Sequence, residues 1–201
     1  MKLAIAALLA GSAAAFAPTQ VGQTSTALNA FENEVGAQAP LGLFDPLGML
    51  KDADQERFDR LRYVEVKHGR IAQLAFLGQI TTRAGFHLPG NIDYAGHSFA
   101  SYPNGLAAIY GPDAIPEKGF WHIITFIVTL EFFFMKDVTG GEFPGDFRNN
   151  RIDFGWDKYS DQTKLKKRAI EVNNGRAAMM GILGLMVHEQ LHSNMPIIGQ
   201  L

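Results

Sequence analysis

An internal repeat constrains the fold of this chain more than any other feature of its sequence. Residues 63–80 align without gaps on residues 169–186, at an offset of 106 residues, and seven of the eighteen aligned positions are identical. The shared pattern is Glu-Val-x-[His/Asn]-Gly-Arg-x-Ala, followed by Leu-Gly. In membrane proteins, such repeats often relate two segments by a pseudo-two-fold axis. The repeat therefore predicts two equivalent helices that pack on each other.

The charged residues of the repeat predict how the two helices meet. Glu65 and Arg70 lie roughly 140° apart on a helix of about 3.6 residues per turn, so they cannot readily neutralise each other. Across a two-fold axis, Glu65 instead faces Arg176. Glu171 faces Arg70 in the same way, which removes the cost of an unpaired charge in a membrane. Small residues at matching levels permit a close crossing; they are Gly69, Ala72, Gly175 and Ala178.

Three apolar segments are candidate helices, at residues 60–84, 118–135 and 163–188, although hydropathy alone rates the first and third poorly as membrane spans. The second approaches the ~20 apolar residues that a membrane span needs. Lys and Arg are concentrated before the first helix and in residues 136–168, whereas the loop 87–118 contains only Lys118. Such alternation is typical of membrane proteins, and a soluble three-helix bundle gives no reason for it. The predicted fold is therefore an all-α membrane protein with three transmembrane helices, the first and third crossed and charge-paired by pseudo-two-fold symmetry.

The N-terminal residues have the composition of targeting sequences. Lys2 precedes an apolar stretch, which predicts a signal peptide over residues 1–15. Residues 16–30 are rich in Ser, Thr, Ala and Gln and contain no acidic residue, which predicts a transit peptide. This order resembles the two-part presequence of algal plastids that are bounded by extra membranes. The remaining domain is predicted to span residues 31–201.

Composition excludes several classes of site, but the repeat still offers oxygen and nitrogen ligands for a metal. The chain has no cysteine, which rules out thiolate zinc sites, iron–sulfur clusters and cysteine nucleophiles. With 18 Lys+Arg against 20 Asp+Glu, it offers no electrostatic basis for binding nucleic acid. The Glu, His and Asn of the repeat can each coordinate a hard cation such as Mg²⁺. Single ligands scattered along apolar helices suit separate macrocycles such as chlorophyll, whereas converging ligands suit a bare ion.

These motifs resemble the light-harvesting chlorophyll-binding proteins, specifically the fucoxanthin chlorophyll a/c-binding proteins of diatoms and their relatives. The resemblance covers residues 41–192 and rests on both copies of the repeat, on Leu-Phe-Asp-Pro-Leu-Gly at 43–48, and on segments 88–96, 145–148 and 152–156. It implies a non-enzymatic, multi-pass antenna of the plastid thylakoid membrane. The implied cofactors are chlorophyll a, chlorophyll c, fucoxanthin and diadinoxanthin. The implied partners are thylakoid lipids, other antenna subunits in an oligomer, and photosystem I or II.

The resemblance also implies which residues hold the pigments. Carried over residue by residue, the axial ligands of chlorophyll magnesium are Glu65, His68, Glu131, Glu171, Asn174 and His188, with Gln79 and His122 as further candidates. Arg70 and Arg176 are the ion-pair partners. Glu189 is turned about 100° from His188 on a helix, so we expect it to have no ligand role and to meet the lipid head groups.

Three alternatives compete with the antenna. A photoprotective member of the same family, which dissipates excitation as heat, would use the same framework of ligands. The string His188-Glu189-x-x-His192 matches the zinc pair and general base of metalloproteases, but no His, Asp or Glu follows it to act as the third ligand. A di-iron bundle needs two Glu-x-x-His motifs, and the second copy here has Asn174 in place of His.

Overall fold

The computed structural model describes residues 31–133, 135, 141–148 and 153–191. The predicted presequence, residues 1–30, lies outside these ranges and stays a prediction. The described residues form the α-helices α1 (Gln55–Arg83), α2 (Ala107–Tyr110), α3 (Glu117–Phe133) and α4 (Asp161–Leu191). They also form two 3₁₀ turns, Phe99–Ser101 and Trp156–Lys158, and no strand. Over these ranges helices are the only regular secondary structure, and turns and irregular segments connect them.

The three long helices correspond to the three predicted segments, with different ends. Helix α1 begins at Gln55 rather than near residue 60, because the Asp54 side chain accepts a hydrogen bond from the Arg57 amide at 2.9 Å and caps it. Helix α4 likewise begins earlier than predicted, at Asp161, and ends at Leu191. Polar first turns carry little hydropathy signal, so hydropathy places these helix starts too late.

Helices α1 and α4 form the main helix–helix contact within the described part of the chain. Helix α3 stands apart from this pair and has no buried residue. Its exposed apolar residues surround the helix; they include Trp121, Ile123, Phe126, Ile127, Val128, Phe132 and Phe133. The protein is thus a crossed helix pair with a third helix at its side.

The segment before α1 forms a small apolar cluster against the first turns of that helix. The rings of Phe31 and Phe58 stack in parallel with their centroids 4.3 Å apart. Ala53 completes the buried set, and Leu43 and Leu50 pack against it. This cluster fixes the N-terminal segment across one end of the helix pair.

The segment between α3 and α4 is organised by a single arginine. Arg148 donates two hydrogen bonds to the buried Asp146 carboxylate, from Nε at 2.9 Å and from Nη2 at 2.7 Å. These bonds hold the pKa of Asp146 below its usual range. Lys164 and Trp156 donate to Glu142 and lower the pKa of that carboxyl in the same way. The charged network gives this connection a defined shape.

By hydropathy, none of the described helices combines the length and the apolar character needed to cross a bilayer.

Candidate functional site

The helices α1 and α4 cross at two glycines of the repeat. A Cβ atom built on Gly69 would lie 2.9 Å from the Gly175 Cα, and a Cβ on Gly175 would lie 2.9 Å from the Gly69 Cα. The two backbones are therefore in direct contact, and both glycines are buried. Any side chain at either position would have to push the helices apart.

Two ion pairs, one on each side of this crossing, join α1 to α4. Arg70 Nε lies 2.6 Å from Glu171 Oε1, and Arg176 Nε lies 2.7 Å from Glu65 Oε1. The structure thus brings together the residues that the repeat predicts as partners. Each charge is neutralised by the other helix, so the pairs also lock the crossing angle and register.

Both arginines have a second partner that the sequence analysis missed. Arg176 Nη1 donates to the carbonyl oxygen of Gly36, and Arg70 Nη1 donates to that of Gly145, each at 2.8 Å. Both glycines have positive φ, 101° and 87°, a backbone conformation that favours glycine. The two-fold relation therefore extends into the segments before α1 and before α4. A gapless alignment cannot find it, since Gly36 and Gly145 are not separated by the repeat offset.

Glu65 carries one contact that breaks the symmetry of the site. Arg62, a buried residue one turn earlier on α1, donates from Nη1 to Glu65 Oε2. The two carboxylate oxygens of Glu65 thus face different guanidinium groups, Arg176 and Arg62. The i, i+3 spacing of Arg62 and Glu65 is a signal that could have predicted this contact.

A hollow lies beside each ion pair. The first, of about 420 Å³, is lined by Arg70 and Glu171 together with the aromatic rings of Phe143, Phe147 and Trp156. The second, of about 600 Å³, is lined by Glu65, Arg176 and the segment 36–45. Each hollow therefore has charged groups at the crossing and apolar walls, an arrangement suited to a molecule with a polar end and an apolar body.

The outward faces of the crossed helices carry the other predicted ligands of the repeat. His68 is exposed, and its Nδ1 donates to the Val64 carbonyl oxygen at 2.8 Å, which leaves Nε2 with a lone pair that could coordinate a metal. Asn174 occupies the equivalent position on α4 and is also exposed. His122, on α3, is exposed as well. None of these three side chains is buried at the crossing of α1 and α4.

The carboxylate of Glu131, on α3, has a partner that the sequence does not predict. Lys67 Nζ, on α1, forms an ion pair with Glu131 Oε2, on α3. The two side chains are about one-third exposed, at 30% and 31%. No local pattern predicts this pair, because the residues lie 64 positions apart in the chain.

The expected position of Glu189 is wrong. Its side chain is only 10% exposed and lies 2.9 Å from Arg83 Nη2. It also accepts hydrogen bonds from the Gln79 amide at 3.0 Å and from the backbone N–H groups of Leu106 and Ala107. Glu189 thus joins the ends of α1 and α4 to the start of α2. It lies inside the protein because the connection after α1 folds back over it.

The remaining predicted ligands lie at this same end of the helix pair. His188 is partly buried one residue before Glu189. Gln79 is also partly buried, and its amide nitrogen is engaged by Glu189. The predicted ligands therefore occur at two levels, one at the crossing and one near the ends of α1 and α4.

The donors do not converge on a bare metal ion. No group of three His, Asp or Glu residues that could hold one occurs in the described ranges. His192 of the protease hypothesis lies outside those ranges, and Glu189 is held by Arg83. Imidazole, amide and charge-compensated carboxylate groups at separate positions fit metals that already have four ligands in a macrocycle. The donor set therefore fits chlorophyll better than a protein-bound zinc or iron.

Comparison with known proteins gives matches over most of the chain. The sequence profile described as "Chlorophyll A-B binding protein" matches residues 31–190. A fucoxanthin-chlorophyll a-c binding protein of Trieres chinensis is 74% identical over 203 residues, covering 100% of both chains. Fucoxanthin-chlorophyll a-c binding protein A of Phaeodactylum tricornutum is 62% identical, covering 95% of this chain and 97% of its own. A Macrocystis pyrifera relative is 55% identical over 85% of this chain and 78% of its own. This chain belongs to the Chlorophyll A-B binding protein family.

Proposed function

We propose that this chain is a light-harvesting antenna protein, which holds chlorophyll a, chlorophyll c and fucoxanthin and passes excitation energy to a photosystem. The observation that carries the proposal is the crossed pair of helices, with paired charges inside and single ligand side chains outside. Relatives named fucoxanthin-chlorophyll a-c binding proteins support the same pigment set. Diadinoxanthin is proposed as a further carotenoid.

The three long helices are proposed to cross the thylakoid membrane. Simple hydropathy counts every charge in α1 and α4 as unpaired, although Glu65, Arg70, Glu171 and Arg176 neutralise one another. Pairing removes most of the cost that an isolated charge would have in the bilayer. The apolar surface of α3, with no buried residue, suits contact with lipid and pigment rather than water. Both observations favour a membrane-spanning arrangement.

The protein's contribution is to orient and separate the pigments. His68 and Asn174 offer a nitrogen and an amide oxygen on opposite outer faces of the pair. Glu65 and Glu171 each keep a lone pair for coordination while an arginine compensates the charge. Gln79, His122, Glu131 and His188 are the other proposed ligands. Bound chlorophyll and carotenoid supply the absorption of light, and no catalytic residue is needed.

The hollows beside the ion pairs are proposed to take polar end groups of carotenoids. Their aromatic and apolar walls suit a polyene, while Arg70 or Arg176 supplies hydrogen-bond donors at one end. Because the repeat generates both hollows, two carotenoids would cross the helix pair in related positions.

The cellular setting completes the proposal. Residues 1–15 act as a signal peptide and residues 16–30 as a transit peptide, which deliver the chain to the plastid. In the thylakoid it assembles with lipids, with other antenna subunits in an oligomer, and with photosystem I or II.

Refolding with pigments tests the proposal. The full chain is refolded with chlorophyll a, chlorophyll c and fucoxanthin, and bound pigment is measured by absorption and chromatography. We expect His68→Leu to lose a single chlorophyll and to keep its fold, since no charge is left unpaired. Glu65→Ala should lose more, because it leaves Arg176 uncompensated at a cost of about 2.5–3.5 kcal/mol in a membrane.

A reciprocal exchange separates the two roles of Glu65. The double variant Glu65→Arg with Arg176→Glu should recover part of the refolding yield without recovering the chlorophyll bound at position 65. Equal damage from His68→Leu and Glu65→Ala would contradict the division between ligand and ion-pair roles. A wild-type chain that refolds without binding chlorophyll would refute the proposed function itself.

A further inference from the structure

The position of α3 depends on very little protein contact. Helices α1 and α4 pack closely, but α3 has no buried residue and no comparable contact with either helix within the described ranges. One ion pair, between Lys67 on α1 and Glu131 on α3, joins it to the crossed pair. A helix with so few contacts needs a specific interaction to set its rotation and height.

Lys67 is well placed to provide that interaction. Its ammonium group contacts Glu131 Oε2 and lies 5.8 Å from the centre of the Tyr63 ring, which is one turn earlier on α1. The ring limits the freedom of the lysine side chain by a cation–π contact. Within the described ranges, no hydrogen-bond donor reaches the other oxygen of Glu131, Oε1. One oxygen thus holds the helix while the other can coordinate a metal.

The repeat places different residues with different contacts at position 67 and at its counterpart. Its counterpart on α4 is Asn173, which donates a hydrogen bond to Gln38 in the N-terminal segment. At the crossing the two copies keep the same residue and the same contact, as at Gly69 and Gly175, and the ion pairs Glu65–Arg176 and Glu171–Arg70 are equivalent. At position 67 the two copies differ, and Lys67 contacts α3, whereas Asn173 contacts the N-terminal segment.

We infer that Lys67 is a positioning residue, which fixes α3 against α1 and so places the Glu131 carboxylate where it coordinates chlorophyll magnesium. The inference rests on the proposed function, since it takes Glu131 to coordinate chlorophyll magnesium. Without Lys67, α3 loses the ion pair that joins it to α1, so the chlorophyll at Glu131 depends on a side chain that does not touch it.

Substitutions at both ends of the pair test this inference. The full chain is refolded with chlorophyll a, chlorophyll c and fucoxanthin, and pigment content, visible circular dichroism and melting temperature are measured. Lys67→Met and Glu131→Leu should each lose the same chlorophyll, with the same missing band in the difference spectrum. Their double variant should lose no more than either single variant, because the two residues act as a unit. Lys67→Arg should retain the band, and the control Lys118→Met, at an exposed residue of α3, should leave it unchanged.

A charge exchange distinguishes positioning from coordination. In the double variant Lys67→Glu with Glu131→Lys, the ion pair is restored, so the melting temperature should return toward wild type. The chlorophyll should remain absent, because an ammonium group cannot coordinate magnesium. If Lys67→Met does not refold, the charge exchange tests whether the ion pair positions α3. Failure of the exchange variant to refold would then overturn the inference.

Two other results would also overturn it. One is a Lys67→Met protein that keeps the band lost in Glu131→Leu. The other is a Glu131→Leu protein that loses no chlorophyll; the proposed function would survive that result provided that the wild-type chain binds chlorophyll.

Discussion

Alanine at Gly69 tests whether backbone contact between α1 and α4 holds the site together. The added Cβ would lie 2.9 Å from the Gly175 Cα. Carbon atoms pack at about 3.5–4.0 Å, so the helices must separate by roughly 0.6–1 Å at this point. The obstructing atom belongs to the backbone and cannot rotate away. Widening the crossing also lengthens the ion pairs that flank it, at 2.6 and 2.7 Å.

The cost follows from two opposing effects. Overpacking a close contact typically costs about 1–3 kcal/mol, while replacing a helical glycine with alanine gains about 0.8–1 kcal/mol of helix propensity. Gly78 is a matched control, because it lies in the same helix and a Cβ there would meet no atom within 4 Å. The gain in propensity cancels between Gly69→Ala and Gly78→Ala. Their difference in stability therefore isolates the overpacking cost of about 1–3 kcal/mol.

Thermal melts of the refolded pigment complex measure this difference. At about 2–4 °C per kcal/mol for a chain of this size, Gly69→Ala should melt roughly 2–12 °C below Gly78→Ala. Adding Gly175→Ala to Gly69→Ala should cost less than the sum of the single variants, because the helices are already separated. Equal melting temperatures for Gly69→Ala and Gly78→Ala would show that the crossing tolerates a methyl group and would refute the reasoning.

Two further predictions concern Glu189, near the end of α4, and Asp146, in the segment between α3 and α4. Glu189→Gln should destabilise the protein by about 1–3 kcal/mol, because Arg83 keeps its charge without a carboxylate partner. In thermal melts, the double variant Glu189→Gln with Arg83→Gln should recover stability. An unchanged melting temperature in Glu189→Gln would contradict the burial of that carboxyl. Asp146 has a depressed pKa in the folded protein because of Arg148, so its stabilisation is present above its unfolded pKa of about 3.9 and is lost as pH falls through the lower folded pKa. The melting temperature of Asp146→Asn should therefore lie below that of wild type at pH 7, and the two values should converge in acid. A difference that grows toward acid pH would show that the pKa of Asp146 is raised and not lowered by folding.

The central crossing could be predicted from sequence because its determinants are local. Charged and small residues recur at fixed positions within the two repeat segments. On a helix, this spacing determines which residues share one face. Once Glu65 and Arg70 were seen to be unable to pair within one helix, the exchange of partners between copies followed. The outward direction of His68 and Asn174 follows from the same periodicity.

Apart from the contact of Arg62 with Glu65, the contacts that were not predicted involve segments far apart in the chain. Glu189 was expected near lipid head groups, since helical geometry gives the direction of a side chain but not what lies there. The segment after α1 folds back and places the amides of Leu106 and Ala107 on its carboxylate. Likewise, the backbone oxygens of Gly36 and Gly145 have no side-chain signature that could mark them as partners of an arginine.

A pattern of residues specifies which face of a helix is charged, small or able to coordinate a metal, because these properties belong to the side chains themselves. That was enough for the helical class, the crossing of α1 and α4, and the kind of ligand that the chain offers. The partner of a lone charge depends instead on which element lies opposite, and this depends on the path of the connecting segments. Lys67 shows the difference, since its position on α1 can be read from the sequence but its contact with Glu131 exists only because α3 lies alongside.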